Sequence, residues 1–223
     1  MMLTNHRRAA EVAAGTILAT VVLVAMVAFD VTRPALQPLD DAWLEAMEAI
    51  RVTPALWLAR ALDVAGGAWV TAPVRVAVLV WLIYRRRWAH FIALALAVAI
   101  SEVAIGVIKA GVARPRPPLS LVETSGFSFP SGHATAGAVT ALALVIVLWP
   151  PGPARWRWEL RAGLFALAMA VSRTYLGAHW LSDAVGGTLL GSAAVLLSVV
   201  TVIGLRNHFH LTRSLRPLRS TKV

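Results

Sequence analysis

Long apolar runs, broken by short clusters of charge and proline, make up most of the chain. A bilayer span needs about 20 apolar residues. Six stretches approach that length, roughly 10–29, 68–84, 89–108, 134–149, 162–177 and 184–205, of which the second, fourth and fifth are short. The first is too long for a signal-peptide core and is followed by acidic sequence, so it is read as an uncleaved helix. Between the first and second runs the pattern changes. Leu39, Trp43, Met47 and Ile50 recur at helical spacing with Asp40, Asp41, Glu45 and Glu48 between them, and Leu56, Trp57, Leu58, Ala61 and Leu62 form a second piece. This predicts two short helices, split near Pro54, lying in the membrane interface. They either pack on the bundle or wall in a lipid tail. The expected fold is all-α: one domain over residues 1–223, an integral membrane bundle of six transmembrane helices with short interfacial helices on the outer side.

Composition agrees. Of the 223 residues, 58% are hydrophobic and 14% charged, against about 25% charged in soluble domains. The absence of cysteine excludes disulfides, cysteine nucleophiles and thiolate metal sites. Most basic residues fall on one side of the span map: Arg7 and Arg8, Arg85 to Arg87, Arg155, Arg157 and Arg161, then Arg206, Arg213, Arg216, Arg219 and Lys222. The positive-inside rule makes that side, and both termini, cytoplasmic. The net charge of +10 is then largely a collar facing anionic headgroups. Its spread over short membrane-proximal loops argues against nucleic acid as a partner. Trp69 and Trp180 fall near outer ends, and Trp81, Trp88, Trp149, Trp156 and Trp158 near inner ends, as interfacial belts do.

On this map the stretch IKAGVARPRPP, 108–118, lies at the outer end of the third span, where topology does not call for cations. One basic residue there would read as a snorkelling side chain. Lys109, Arg114 and Arg116 together read as an anion site. Two further stretches reach the same face. FSFPSGHAT, 127–135, opens a helical run; Ser131, Gly132 and His133 follow Pro130 at a helix N-terminus, where unpaired N–H groups bind phosphate. SRTYLGAHWLSD, 172–183, brings another cation, Arg173. It also brings His179 and Asp183, four apart and so on one face if helical. A carboxylate at hydrogen-bond distance from one imidazole nitrogen fixes the tautomer and leaves the other nitrogen to attack. Singly, an SGH or a His-x-x-x-Asp is commonplace. Their convergence on one membrane face is what carries weight.

In order and spacing these stretches resemble the type 2 phosphatidic acid phosphatase family, the membrane branch of the vanadium-haloperoxidase-like phosphatases. KAGVARPRP supplies the first motif with Lys109, Arg116 and Pro117; PSGH supplies the second with Pro130, Ser131, Gly132 and His133. Ser172, Arg173, His179 and Asp183 supply the third. The resemblance runs from about residue 60 to 205 and matches the six-span layout. It implies a lipid phosphatase in which His179 attacks phosphorus, Asp183 orients it and His133 protonates the leaving oxygen. Lys109, Arg116, Arg173, Ser131 and the amides near Gly132 would hold the phosphoryl oxygens. Arg114, outside the motif, is expected to support the site from behind or to grip a diphosphate or headgroup.

Fixed cations can stabilise phosphoryl transfer by position and charge, so no metal or cofactor is expected. His133, His179 and Asp183 could ligate zinc, but the cations beside them would repel it. Lipid phosphotransfer or lipid-phosphate transport could use the same pocket. The substrate is expected to be a membrane lipid phosphate or diphosphate, such as a polyprenyl diphosphate, phosphatidylglycerophosphate or phosphatidic acid. The site would face outward from a bacterial plasma membrane. The motifs do not account for Arg75 and Glu102, two charges at mid-span depth. Such charges generally pair, and these are expected to pair beneath the site and hold Lys109 in place. Gly187 and Gly191, four apart, are read as a helix-packing face.

Overall fold

The computed structural model describes residues 6–29, 32–150 and 152–214. Arg216, Arg219 and Lys222 of the basic tail and Pro151 of the PPGP turn lie outside the described residues, as do the side chains of Arg7 and Arg213. Among the described residues eight helices follow one another: α1 (His6–Ala28), α2 (Arg33–Ala49), α3 (Thr53–Gly66), α4 (Ala68–Tyr84), α5 (Trp88–Val112), α6 (Gly132–Leu148), α7 (Arg155–Tyr175) and α8 (Leu181–Ser214).

The six apolar runs correspond to α1 and α4 to α8. By length and composition three of these, α1, α5 and α8, suffice to cross a membrane; α3 and α4, bent by 47° at their junction, make a fourth if counted together. The expected six are therefore present as helices but not all as full-length apolar spans. Helix α6 is 17 residues long. Helix α7 begins seven residues before the predicted 162, and Arg155, Arg157, Glu159 and Arg161 make its first half polar. The expected pair of short helices is present as α2 and α3. The former starts earlier than its apolar spacing suggests, with Pro34 in its first turn, where the missing N–H costs nothing.

Helix α8 is the hub, packing against α1, α5, α6 and α7. Its small residues explain the close approach. A Cβ at Gly187 would lie 2.4 Å from the Ser131 carbonyl oxygen, and one at Gly191 2.6 Å from that of Thr135. The backbones of α8 and α6 thus pass with no room for a side chain. Much of the core is alanine, including Ala97, Ala134, Ala138, Ala166, Ala184 and Ala194, while Leu18, Val21, Val76, Val103, Leu164 and Leu167 point outward. Small residues inside and large apolar residues outside suit a bundle immersed in lipid, where hydrophobic burial alone does not drive helix against helix.

The ends of the helices place the chemistry. Helix α5 closes on Ala113, in the left-handed region at φ +46°, and the prolines at 115, 117 and 118 prevent its resumption. Helix α7 ends at Tyr175, and Gly177 turns the chain at φ +67°. A side chain there would be strained and would also strike the Leu119 carbonyl oxygen at 2.4 Å.

Candidate active site

Three segments meet at one end of the bundle: the loop after α5, the start of α6 and the α7–α8 turn. Asp183 lies in the first turn of α8, and its Oδ2 accepts the backbone N–H of Trp180 at 2.9 Å, closing the helix start as the acidic half of a capping box does. His179 lies before that helix. The two residues therefore do not share a helical face as their spacing suggests; the turn at Gly177 presents the histidine instead. Nδ1 of His179 is 3.6 Å from Asp183 Oδ2, beyond a normal hydrogen bond. Ser128 stands beside both: its hydroxyl donates to Asp183 Oδ2 and lies 3.5 Å from His179 Nδ1.

The other nitrogen settles the tautomer. Nη1 of Arg116 lies 3.2 Å from His179 Nε2. A guanidinium can only donate, so Nε2 carries the lone pair and the ring proton sits on Nδ1, towards Asp183 and Ser128. His179 is buried. That burial pushes its pKa down to about 4, with Asp183 opposing the shift and Arg116 and Arg173 adding to it. The ring is accordingly neutral at physiological pH, with its lone pair towards the cations.

Arg116 is held by carbonyls. Its Nε donates to Gly126 at 2.9 Å, Nη1 to Ala178 at 2.8 Å and Nη2 to Ser125 at 2.8 Å. Partial burial and the nearby Arg173 guanidinium lower its pKa from the usual arginine value, with Asp183 opposing. Lys109, in the last turn of α5, donates to the Phe127 carbonyl. Arg173 is buried, and its Nε has no hydrogen-bond partner among the described residues. Ser131 caps α6, its hydroxyl accepting the Ala134 N–H at 3.4 Å, and Gly132 leaves open space where a Cβ would stand. The predicted residues thus converge. Among the described residues no three His, Asp or Glu side chains come together as a metal-binding group.

Arg114 departs from one expectation. It is 1% exposed and turned into the protein, with Nη1 donating to Asp183 Oδ1 at 2.8 Å and to Ser182 Oγ at 2.6 Å. Nη2 donates to Asp40 Oδ2 at 2.7 Å and to Gln37 at 3.1 Å. Committed to these acceptors, it does not reach out to grip a diphosphate or headgroup. Asp40, which sequence reasoning placed among the polar residues of an interfacial helix, is buried and also accepts from the backbone N–H and hydroxyl of Ser182.

Arg75 and Glu102 do pair, Nη1 to Oε1 at 3.0 Å. The same guanidinium donates to Thr140 Oγ1 at 3.0 Å and to the Ala136 carbonyl at 3.1 Å. It thereby ties α4 to α6 as well as to α5. The hydrogen bond of Lys109 goes to Phe127 and not to this pair.

A second unanticipated carboxylate is Asp63 of α3. Its Oδ1 lies 3.2 Å from His133 Nε2 and also pairs with Nη1 of Arg173. It is the only carboxylate between Glu48 and Glu102, and that isolation in an apolar stretch is the one signal that could have drawn notice.

An all-helical membrane bundle with a buried histidine, its aspartate and a ring of cations at one end defines a narrow class, and the family model agrees. The chain belongs to the PAP2 superfamily, whose model matches residues 90–206. Phosphatidylglycerophosphatase B of Bacillus subtilis is 34% identical over 48% of this chain and 55% of its own length. Undecaprenyl-diphosphatase of Sulfolobus acidocaldarius is 35% identical over 53% and 58%. The matched stretch thus spans little more than half of these relatives. The crystal structure of a transmembrane PAP2-type phosphatidylglycerolphosphate phosphatase from Bacillus subtilis superposes with a TM-score of 0.73 at 27% identity, covering 88% of this chain and 96% of that one.

Proposed function

We propose that the protein is a metal-independent lipid phosphatase that releases phosphate from a membrane lipid phosphate or diphosphate through a phosphohistidine. The observation that carries this reading is the tautomer of His179: a neutral, buried imidazole whose lone pair faces Arg116, with Arg173 nearby and its proton towards a carboxylate.

The chemistry follows. The phosphoryl oxygens take up the unpartnered Nε of Arg173, with Lys109, Arg116 and the amides at the start of α6. Binding an anion relieves the mutual repulsion of these cations, and the relief grows as charge develops in the transition state. Nε2 of His179 attacks phosphorus and the bond from phosphorus to the lipid oxygen breaks. The imidazolium so formed is stabilised by Asp183, and Arg114 with Ser128 keeps that carboxylate ionised and aimed. His133 gives a proton to the leaving oxygen. Water then attacks the phosphohistidine, returning its proton to His133, and inorganic phosphate leaves.

The lipid chain has a place beside the site. An apolar groove of about 310 Å³ between α2, α3 and α7 is lined by Trp43, Met47, Leu58, Leu62, Val171 and Tyr175. Leu62 and Ser172, both lining it, adjoin Asp63 and Arg173 in sequence. The names of the relatives favour phosphatidylglycerophosphate or a polyprenyl diphosphate as the lipid. The excess of basic residues in the loops at the opposite end of the bundle favours an outer-facing site in a plasma membrane with both termini cytoplasmic.

The test is phosphate release by the purified protein in detergent from a panel of phosphatidylglycerophosphate, polyprenyl diphosphate and phosphatidic acid, with chelator present throughout. Brief reaction with a 32P-labelled substrate should leave acid-labile, base-stable label on the wild type and none on His179→Ala. No hydrolysis of any of these lipids overturns the reading in favour of transport. Transfer to an added alcohol in preference to water would make the protein a phosphotransferase.

A further inference from the structure

His133 stands in a cationic neighbourhood. Arg173 from α7 and Arg116 from the loop after α5 face it. Arg75 of α4 bonds the Ala136 carbonyl one turn further along α6 but is neutralised by Glu102. Burial first, then the Arg173 and Arg116 guanidinium groups, push the pKa of His133 down to about 4, with Asp63 opposing the shift, so the free ring is neutral at physiological pH. An acid that delivers a proton to a leaving alkoxide must nevertheless hold one when the substrate is bound. One carboxylate lies at hydrogen-bond distance from the ring, and it comes from outside the three motifs: Asp63, whose Oδ1 is 3.2 Å from Nε2.

The last turn of α3 packs on Met169 of α7 and on the His133 ring. A Cβ on Gly66 would come within 3.2 Å of the His133 ring at Cδ2, and one on Gly67 within 3.8 Å of Nε2. The helix end thus lies against the imidazole with little slack. Asp63 offers Nε2 only acceptors, its carboxylate and its backbone carbonyl, so Nε2 carries a proton and Nδ1 is the nitrogen left to serve the leaving oxygen. Asp63 also pairs with Nη1 of Arg173, so one carboxylate sets both the acid and a cation of the phosphate site.

We propose that Asp63 is the positioning residue that makes His133 a competent acid: it orients the ring through Nε2–H and sustains the doubly protonated imidazole whose Nδ1 proton passes to the leaving oxygen as the bond to phosphorus breaks. His133 is then neutral. It recovers the proton from the water that attacks the phosphohistidine, so the cycle closes without another reactant. The interfacial helix α3 thereby becomes part of the active site. The proposal rests on the reading of His133 as the acid.

The experiment compares two substrates of one protein: an alkyl phosphate lipid, whose leaving group needs a proton, and an aryl phosphate, whose leaving group does not. Asp63→Asn should lower kcat on the alkyl substrate by about 100-fold, the lower end of what acid catalysis supplies, and on the aryl substrate by less than about 5-fold. The alkaline limb of its kcat–pH profile on the alkyl lipid should move to lower pH. Asp63→Glu keeps a carboxylate and should restore most of the loss. It also serves as the working variant if the asparagine protein is poorly folded. The double variant Asp63→Asn/His133→Asn should be no slower on the alkyl lipid than His133→Asn alone. Equal losses on both substrates for Asp63→Asn, with His133→Asn still discriminating between them, overturn the role of Asp63 alone. Equal losses on both for His133→Asn overturn the acid assignment and the proposal with it.

Discussion

Arg114 bonds Asp183 through Nη1 at 2.8 Å, and both side chains are sealed from solvent, at 1% and 0% exposure. The other arm of the guanidinium reaches Asp40 at 2.7 Å. A buried arginine between two buried carboxylates is stable only as a unit. Removing Asp40 leaves Arg114 paired with Asp183 but strips one buried guanidinium arm and the Ser182 N–H of their carboxylate acceptor, at about 1–3 kcal/mol for each buried donor left unsatisfied. Asp40→Ala should therefore lower unfolding stability in detergent by about that amount for each donor, although the residue lies far from the catalytic motifs in sequence. Arg114→Lys, which cannot span both carboxylates, should also lower kcat. A thermal midpoint within a degree of wild type for Asp40→Ala would contradict this account.

His179 should stay neutral well below the usual histidine range. Its pKa moves from 6.5 to about 4, chiefly through burial. In the window between those values the unfolded chain binds a proton that the folded chain refuses. Stability therefore falls as pH drops through the window, and the group's contribution is intact above it. Selectively 15N-labelled histidine, assigned with a His179→Asn variant, should show an unprotonated Nε2 and a protonated Nδ1 at pH 5.5. Titration with a midpoint near 6.5 would contradict both the tautomer and the burial argument.

Vanadate should compete with substrate, because five-coordinate vanadium imitates the phosphoryl transition state at the same cations. Gly132→Ala adds a methyl group where the start of α6 meets open space and should weaken vanadate more than it changes stability. Vanadate inhibition that does not respond to substrate concentration would place the anion elsewhere.

The residues legible in sequence were those at the ends of apolar runs. A cation, a serine or a histidine there breaks a strong pattern, so Lys109, Arg116, Ser131, His133, Arg173, His179 and Asp183 stood out before any fold was known. What escaped was pairing across distance. Asp40 and Arg114 are 74 positions apart, and Asp63 and Arg173 are 110 apart. In a helix where acidic residues alternate with apolar ones, nothing distinguishes the buried Asp40 from the exposed Asp41. The expectation that His179 and Asp183 share a helical face failed for a local reason. Gly177 takes φ +67° and ends α7, so the histidine sits in a turn, and its distance from the carboxylate is set by α8 starting at Leu181. Arg75 and Glu102 were found as a pair because mid-span charges leave few alternatives to pairing.

Orientation can be read by labelling, because the chain has no cysteine of its own. Ser125, in the exposed loop between α5 and α6, and Arg157, at the far end of α7, lie at opposite ends of the bundle, and both are exposed. Ser125→Cys should react with an impermeant thiol reagent in intact cells, and Arg157→Cys only after permeabilisation. The reverse pattern would put the phosphate site in the cytoplasm.

Arg75 and Glu102 separate a charge pair from a structural clasp. Arg75 is 7% exposed and makes three contacts, with Thr140, Glu102 and the Ala136 carbonyl. Glu102 is 56% exposed at the bundle surface, and this bond to Arg75 at 3.0 Å is its contact to the interior. Removing the carboxylate therefore leaves the arginine two acceptors, while removing the arginine breaks the polar link of α4 to both neighbours and leaves the apolar contacts around Leu82. Arg75→Ala should cost more stability than Glu102→Gln, which can still accept one hydrogen bond. The difference should be at least about 1 kcal/mol, the net worth of a typical hydrogen bond. The activity of Glu102→Gln should stay within a few-fold of wild type, since Lys109 is held by the Phe127 carbonyl and not by this pair. A Glu102→Gln protein as unstable as Arg75→Ala would mean that the charge, and not the clasp, holds these helices together.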